Sequence, residues 1–160
     1  MTQDYLNQTA RKLHQPTPAA ATEFAARRDA LAEELNERMS VRPDLDHLIG
    51  PGNLLLMQAN SRNFCRFMNT MFQGYEPGVL VETVLWVFRS YRTRGFQPTY
   101  WPANLDTFLD IIRKELTPAT FEQVSPFFEW LVVNLPTFVK ITDIQLAAPL
   151  PVLPGHGAPP

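Results

Sequence analysis

Apolar residues recur along this chain mainly at spacings of three, four and seven, the period of one helix face, and no run alternates between turn signals as a half-buried strand would. Positions 3–14 predict a short amphipathic helix carrying Tyr5, Leu6 and Leu13, stopped by Pro16 and Pro18. From Ala19 to Met39 strong helix formers predominate, and Phe24, Leu31 and Leu35 mark one buried stripe among charged positions. Arg42-Pro43-Asp44 ends that helix and leaves at most one turn, Leu45 to Ile49, before Gly50-Pro51-Gly52. Asn53 is placed to cap the next helix, 53–73, which carries Met57, Phe64, Met68 and Met71 on one side and has Gly74 as its terminator. The stretch VLVETVLWVFRSYR is apolar nearly all round through Phe88, and its length predicts a helix over 78–94 buried on several sides. After the turn framed by Gln97-Pro98 and Trp101-Pro102, Asn104 can cap a helix with Leu105, Phe108, Leu109, Ile112 and Leu116 inward. Thr117-Pro118 starts the last helix, where Pro126 and Pro136 predict an irregular start and a kink or break.

The reading is an all-α chain of six to seven helices: an extra N-terminal helix and proline linker over 1–18, a helical domain over 19–146 and a proline-rich, flexible tail over 147–160. Composition sharpens this. With 160 residues, 45% hydrophobic and 19% charged, the chain is sized for one domain with a real core. Ten of the fifteen prolines precede Ala147, at helix starts, stops or kinks, which sets them apart from low complexity. A net charge of -2 argues against a nucleic-acid partner. The single cysteine excludes an internal disulfide framework, and His14, His47 and His156 offer no clustered metal ligands. No apolar run approaches the ~18 residues of a membrane span. The polar start MTQDYLNQTARK is no signal peptide, so a cytoplasmic protein is expected.

The chain has no Gly-rich phosphate loop, HExxH, CxxC or GxSxG, and an enzyme is not expected. Charge placement says more than total charge. Between Asn60 and Phe96 lie Arg62, Arg66, Arg89, Arg92 and Arg94 against Glu76 and Glu82. Beside Trp86, Phe88, Tyr91, Tyr100 and Trp101, such guanidinium forks suit a flat ligand with acidic side groups. For Arg89, Arg92 and Arg94 the simpler reading is preferred, in which they complement the negative end of their helix and stay in water. Cys65 reads first as an inert buried thiol; exposed beside Arg62 and Arg66, it would instead be a thiolate able to attach a ligand. Met57, Met68 and Met71 follow a core stripe, with a soft cofactor lining as the alternative. Glu82, expected buried in a greasy helix, is the carboxylate most in need of a partner, an arginine or a ligand N–H.

The segment Arg66 to Pro98 resembles the middle of the phycobiliprotein family, of the globin-like superfamily, at Arg66-Phe67, Gly74, Glu76, Leu80, Glu82, Tyr91 and Gly95. The resemblance implies a globin-like fold and a bound linear tetrapyrrole, biliverdin or a reduced bilin. Two positions depart from the family pattern: the bilin-attaching cysteine falls on Met57, and the aspartate that binds the pyrrole nitrogens falls on Asn60. The usual thioether attachment is therefore not implied. Nor does 77–94 contain a histidine, so haem ligation is not implied either. The chain is also similar to globin-like proteins associated with bilin biosynthesis and to haem-free globin domains of bacterial stress sensors. The first likeness implies non-catalytic bilin binding between helices 53–73 and 78–94, with propionates on Arg62 or Arg66 and rings against Trp86, Tyr91 or Trp101. The second implies a regulatory scaffold that forms a homodimer through apolar stripes, including that of the 3–14 helix.

Overall fold

Three threonines in extended backbone set helix starts, each accepting a hydrogen bond from the amide one turn on: Thr2 from Tyr5, Thr17 from Ala20 and Thr117 from Thr120. Thr17 and Thr117 are each followed by a proline, whose fixed φ suits the first helical position and whose missing N–H would have no partner there. The computed structural model describes residues 2–148. In that part, seven helices and no strand are formed: α1 (Gln3–Ala10), α2 (Pro18–Ser40), α3 (Leu45–Ile49), α4 (Leu54–Gln73), α5 (Pro77–Arg92), α6 (Tyr100–Glu115) and α7 (Pro118–Ala147). The all-α reading holds. No helix among the described residues is long and apolar enough to cross a membrane. The proline-rich segment from Pro149 onward lies outside the described residues.

Several boundaries differ from expectation for identifiable reasons. Helix α1 stops at Ala10 because tight turns come next, Lys12 N–H to Thr9 and Leu13 N–H to Ala10. Its Leu6 and Ala10 are fully buried where the helix packs on α5 and α7, while Tyr5 of the expected stripe is exposed. Asn53 makes no side-chain cap. Its amide donates instead to the carbonyls of Ile49 and Arg94, at 2.7 and 2.8 Å, tying the start of α4 to the end of α5. At this junction Gly50 and Gly95 both have positive φ, and a Cβ on Gly50 would stand 3.3 Å from the Gly95 carbonyl oxygen. Helix α6 begins at Tyr100, one turn before the expected cap Asn104. Pro102 lies in that first turn, where its missing N–H has no intrahelical acceptor to lose.

Helix α7 is continuous through Pro126 and Pro136, so neither proline breaks it. An interior proline costs about 3 kcal/mol. Burying a large apolar side chain contributes roughly 1.5–3 kcal/mol, and α7 buries Phe127, Phe128, Leu131, Leu135 and Phe138 around its two prolines. Phe72 of α4 anchors one ring cluster, edge-on to Phe24 of α2 at 4.9 Å and to Phe127 at 5.1 Å. A second cluster centres on Phe88 of α5, stacked on Trp101 of α6 at 4.0 Å and tilted against Phe138.

The expected all-round burial of the fifth helix is also corrected. Val79, Glu82 and Trp86, at spacings of three and four, form an outward face of α5, and Glu82 is exposed.

Candidate functional site: a cavity between the fourth and fifth helices

Helix α4 packs on α2, whereas α5 packs on α1 and α7. The two helices are therefore held by different neighbours, and a cavity of about 200 Å³ lies between them, backed by α6 and α7. Helix α4 serves both sides. Met57, Cys65 and Met68 are buried in the core, while Asn60, Asn63, Phe64 and Phe67, again at spacings of three and four, line the cavity.

The walls are aromatic and aliphatic: Phe64 and Phe67 from α4, Val84, Phe88 and Tyr91 from α5, Trp101 and Leu105 from α6, and Leu131 and Leu135 from α7. Trp101 is held by its stack on Phe88, with ring planes 14° apart. Trp86 lines the cavity yet is 56% exposed, which places its indole at the mouth.

Polar side chains enter from three helices: Asn60 and Asn63 of α4, Thr83 of α5 and Asn104 of α6. Asn60 and Asn104 are buried and line the cavity, and the Asn104 Nδ2 donates to the fully buried Tyr100 hydroxyl at 3.0 Å. Burial pushes the Tyr100 pKa far up, and the adjacent Asn60, Asn104 and Ser61 side chains act in the opposite direction. The hydroxyl therefore stays protonated and can serve as both donor and acceptor. Tyr91 is the one ionisable group among the lining residues; its pKa is raised by burial, against a smaller lowering by Arg94.

Of the side chains singled out in the sequence for a ligand, Asn60, Trp86, Phe88, Tyr91 and Trp101 come together at this cavity, whereas Met57, Arg62, Cys65, Arg66 and Glu82 do not line it. Met57 is core. Cys65 is buried, and desolvation, with a smaller contribution from Asp29 of α2, pushes its thiol up to about 12. Arg62 is turned toward α2, 3.7 Å from Glu33. Arg66 is exposed outside the lining, and Glu82 borders a separate shallow hollow with Tyr75 and Val79. Nor do Arg89 and Arg92 simply stay in water: Arg89 donates to Gln145, and Arg92 donates to the Asp143 carboxylate, the Thr142 hydroxyl and the Val139 carbonyl, clamping α5 to α7. Sequence reasoning missed Asn63, Phe67 and the wall that α7 supplies, and it read Asn104 as a cap. The second stripe on α4, from Asn60 to Phe67, was the available signal.

Among the described residues no group of three or more His, Cys, Asp or Glu side chains could hold a metal ion. No protein-family model matches the chain, and neither does any curated protein or solved structure.

Proposed function

We propose that this chain is a non-catalytic, globin-like helical domain that binds a flat conjugated ligand of the linear-tetrapyrrole class between α4 and α5. The observation that carries the reading is the lining: stacked and edge-on rings around uncharged walls, with polar groups at Asn60, Asn104 and Tyr100. Such a site grips a ring by its faces and reads its edge with a few hydrogen bonds. The globin-like assignment draws support from a cavity between two consecutive helices backed by two more, since globins pack their helices around such a pocket.

A bilin must meet two geometric requirements. The cavity's 200 Å³ is below the ~300–1,000 Å³ of pockets that enclose a drug-sized ligand. Part of the tetrapyrrole is therefore inside, and the remainder lies across the Trp86 indole. With no cationic side chain in the lining, the propionates remain in water at the mouth. Titration of the full chain with biliverdin, read by visible absorption and tryptophan quenching, tests the proposal. Saturable binding weakened about tenfold by Trp86→Ala, and unaffected by Leu55→Ser on a remote exposed site, is expected. An unchanged spectrum at stoichiometric protein sinks the proposal.

A second reading, a haem-free regulatory scaffold that dimerises, draws on a different feature. Val41 is 80% and Leu55 78% exposed. They lie at the same end of the α2–α4 pair, whose direction is set by the Asn36-to-Gln58 hydrogen bond and the approach of Arg62 to Glu33. A monomer by light scattering at micromolar concentration eliminates that reading.

A further inference from the structure

The size of the α4–α5 cavity and the chemistry of its buried amides together limit what enters it. An apolar cavity of about 150 Å³ holds one benzene ring, so the 200 Å³ here holds one ring or a fused pair. None of the lining side chains carries a charge, and Glu82, one turn before Trp86, is exposed outside the lining. An ionised group taken inside would therefore have no counter-charge. Phe88 and Trp101, their ring planes 14° apart, form a flat stack in the wall, while Trp86 and Asn63 are exposed at the mouth.

Asn60 and Asn104 line the cavity from α4 and α6 and are only 9% and 6% exposed. The Tyr100 hydroxyl joins them, hydrogen-bonded to both amides and to Ser61. Asn104 gives one of its two N–H groups to that hydroxyl, which leaves a donor and a carbonyl acceptor on the same amide. An occupant with a wholly apolar edge would strand both, and one that offers only a donor or only an acceptor would strand one. The edge that satisfies the pair has C=O and N–H side by side.

We propose that the cavity selects one uncharged planar ring with a cyclic-amide edge, its C=O and N–H paired with Asn104 beside Asn60 and its faces among the surrounding aromatic side chains. The inference rests on reading this cavity as a ligand site and names the part of the ligand that it recognises. A linear tetrapyrrole carries such a ring, a lactam, at each end, so an end ring enters and the others cross Trp86. The test titrates the full chain with three compounds of one outline: oxindole, 2-indanone, in which CH2 replaces the N–H, and indoline, in which CH2 replaces the C=O. The side-chain amide resonances of Asn60 and Asn104 and the Trp101 indole N–H report binding, and biliverdin is titrated in parallel. Oxindole is expected to bind about tenfold more tightly than either analogue. In the double variant Asn104→Leu with Tyr100→Phe, which leaves no partner stranded, the three are expected to bind within about threefold of one another, read on Trp101. The comparison on the unaltered chain stands even where the variant does not fold. Equal binding of the three compounds by the unaltered chain overturns the proposal, as does a preference for oxindole that survives in the double variant. Binding of biliverdin with none of the three also overturns it and leaves the tetrapyrrole reading intact. Preference for oxindole with no binding of biliverdin supports it and removes the tetrapyrrole reading, and binding of none of the four removes both.

Discussion

Tyr100→Phe tests whether the polar pair of Tyr100 and Asn104 at the cavity is held dry. The substitution keeps the ring, its edge contacts to Phe96 and Trp101 and its burial, and deletes one oxygen. That oxygen accepts the Asn104 hydrogen bond at 3.0 Å in a place where both residues are buried. A buried donor left without a partner costs about 1–3 kcal/mol, so a loss near 2 kcal/mol is expected. With a urea m-value of about 2 kcal/mol/M for a chain of this size, the unfolding midpoint falls by about 1 M. Asn104→Ala alone should be destabilising, but in the Tyr100→Phe background it should cost less, because the pair then has nothing left to break. Urea melts of the four chains measure both quantities. A Tyr100→Phe loss below about 0.5 kcal/mol would refute the reasoning: it would mean that water in the cavity already satisfies Asn104, and that the amide is not poised for a ligand.

Arg92→Met removes the clamp from a guanidinium that is only 15% exposed and makes three hydrogen bonds to α7. A loss of about 1–2 kcal/mol is expected, or roughly 3–6 °C in Tm, whereas Arg94→Met on the exposed neighbour should change stability by under about 0.5 kcal/mol. Cys65, buried and with its pKa raised to about 12, should resist maleimide in the native chain and react on unfolding in urea; rapid native labelling contradicts its placement. The Glu23 carboxylate, despite the opposing effect of desolvation, is held below its ordinary pKa of 4.5 by hydrogen bonds from Thr117 and Thr120 at the start of α7. Its contribution is fully present above pH ~4.5 and is lost as pH falls through the lower folded value. Glu23→Gln should therefore cost about 1 kcal/mol at pH 7 and close to nothing at pH 2, as compared by thermal melts.

Helix existence was legible because one-sided periodicity reports burial directly: Phe24, Leu31 and Leu35 are each buried as their spacing implies. Starts were legible where a local signal suffices, as with Thr17-Pro18 and Thr117-Pro118. Legibility failed where a distant contact overrules a local preference. Asn53 has the chemistry of a cap, yet the Arg94 carbonyl, forty-one positions away, takes its amide. Pro136 has the chemistry of a breaker, yet the rings on either side of it are worth more buried in one continuous helix than a break would recover.

The site was partly legible for a related reason. Aromatic residues must be buried somewhere, and their concentration between Phe64 and Trp101 pointed to the right pair of helices. Arginines carry no such obligation. Of the guanidinium groups expected to meet a ligand, Arg62 approaches Glu33 and Arg66 is exposed outside the lining, while Arg89 and Arg92, expected to stay in water, find acceptors at the end of α7. Their loss changes the chemistry expected of the ligand, because a cavity without a cation selects by ring faces and by the amides of Asn60 and Asn104. On the proposed bilin reading, the propionates would contribute solubility at the mouth and little affinity. Methyl-esterified biliverdin should consequently bind about as well as the free acid, within about threefold in the same absorption titration, and a loss of binding on esterification would show that an arginine reaches the ligand after all.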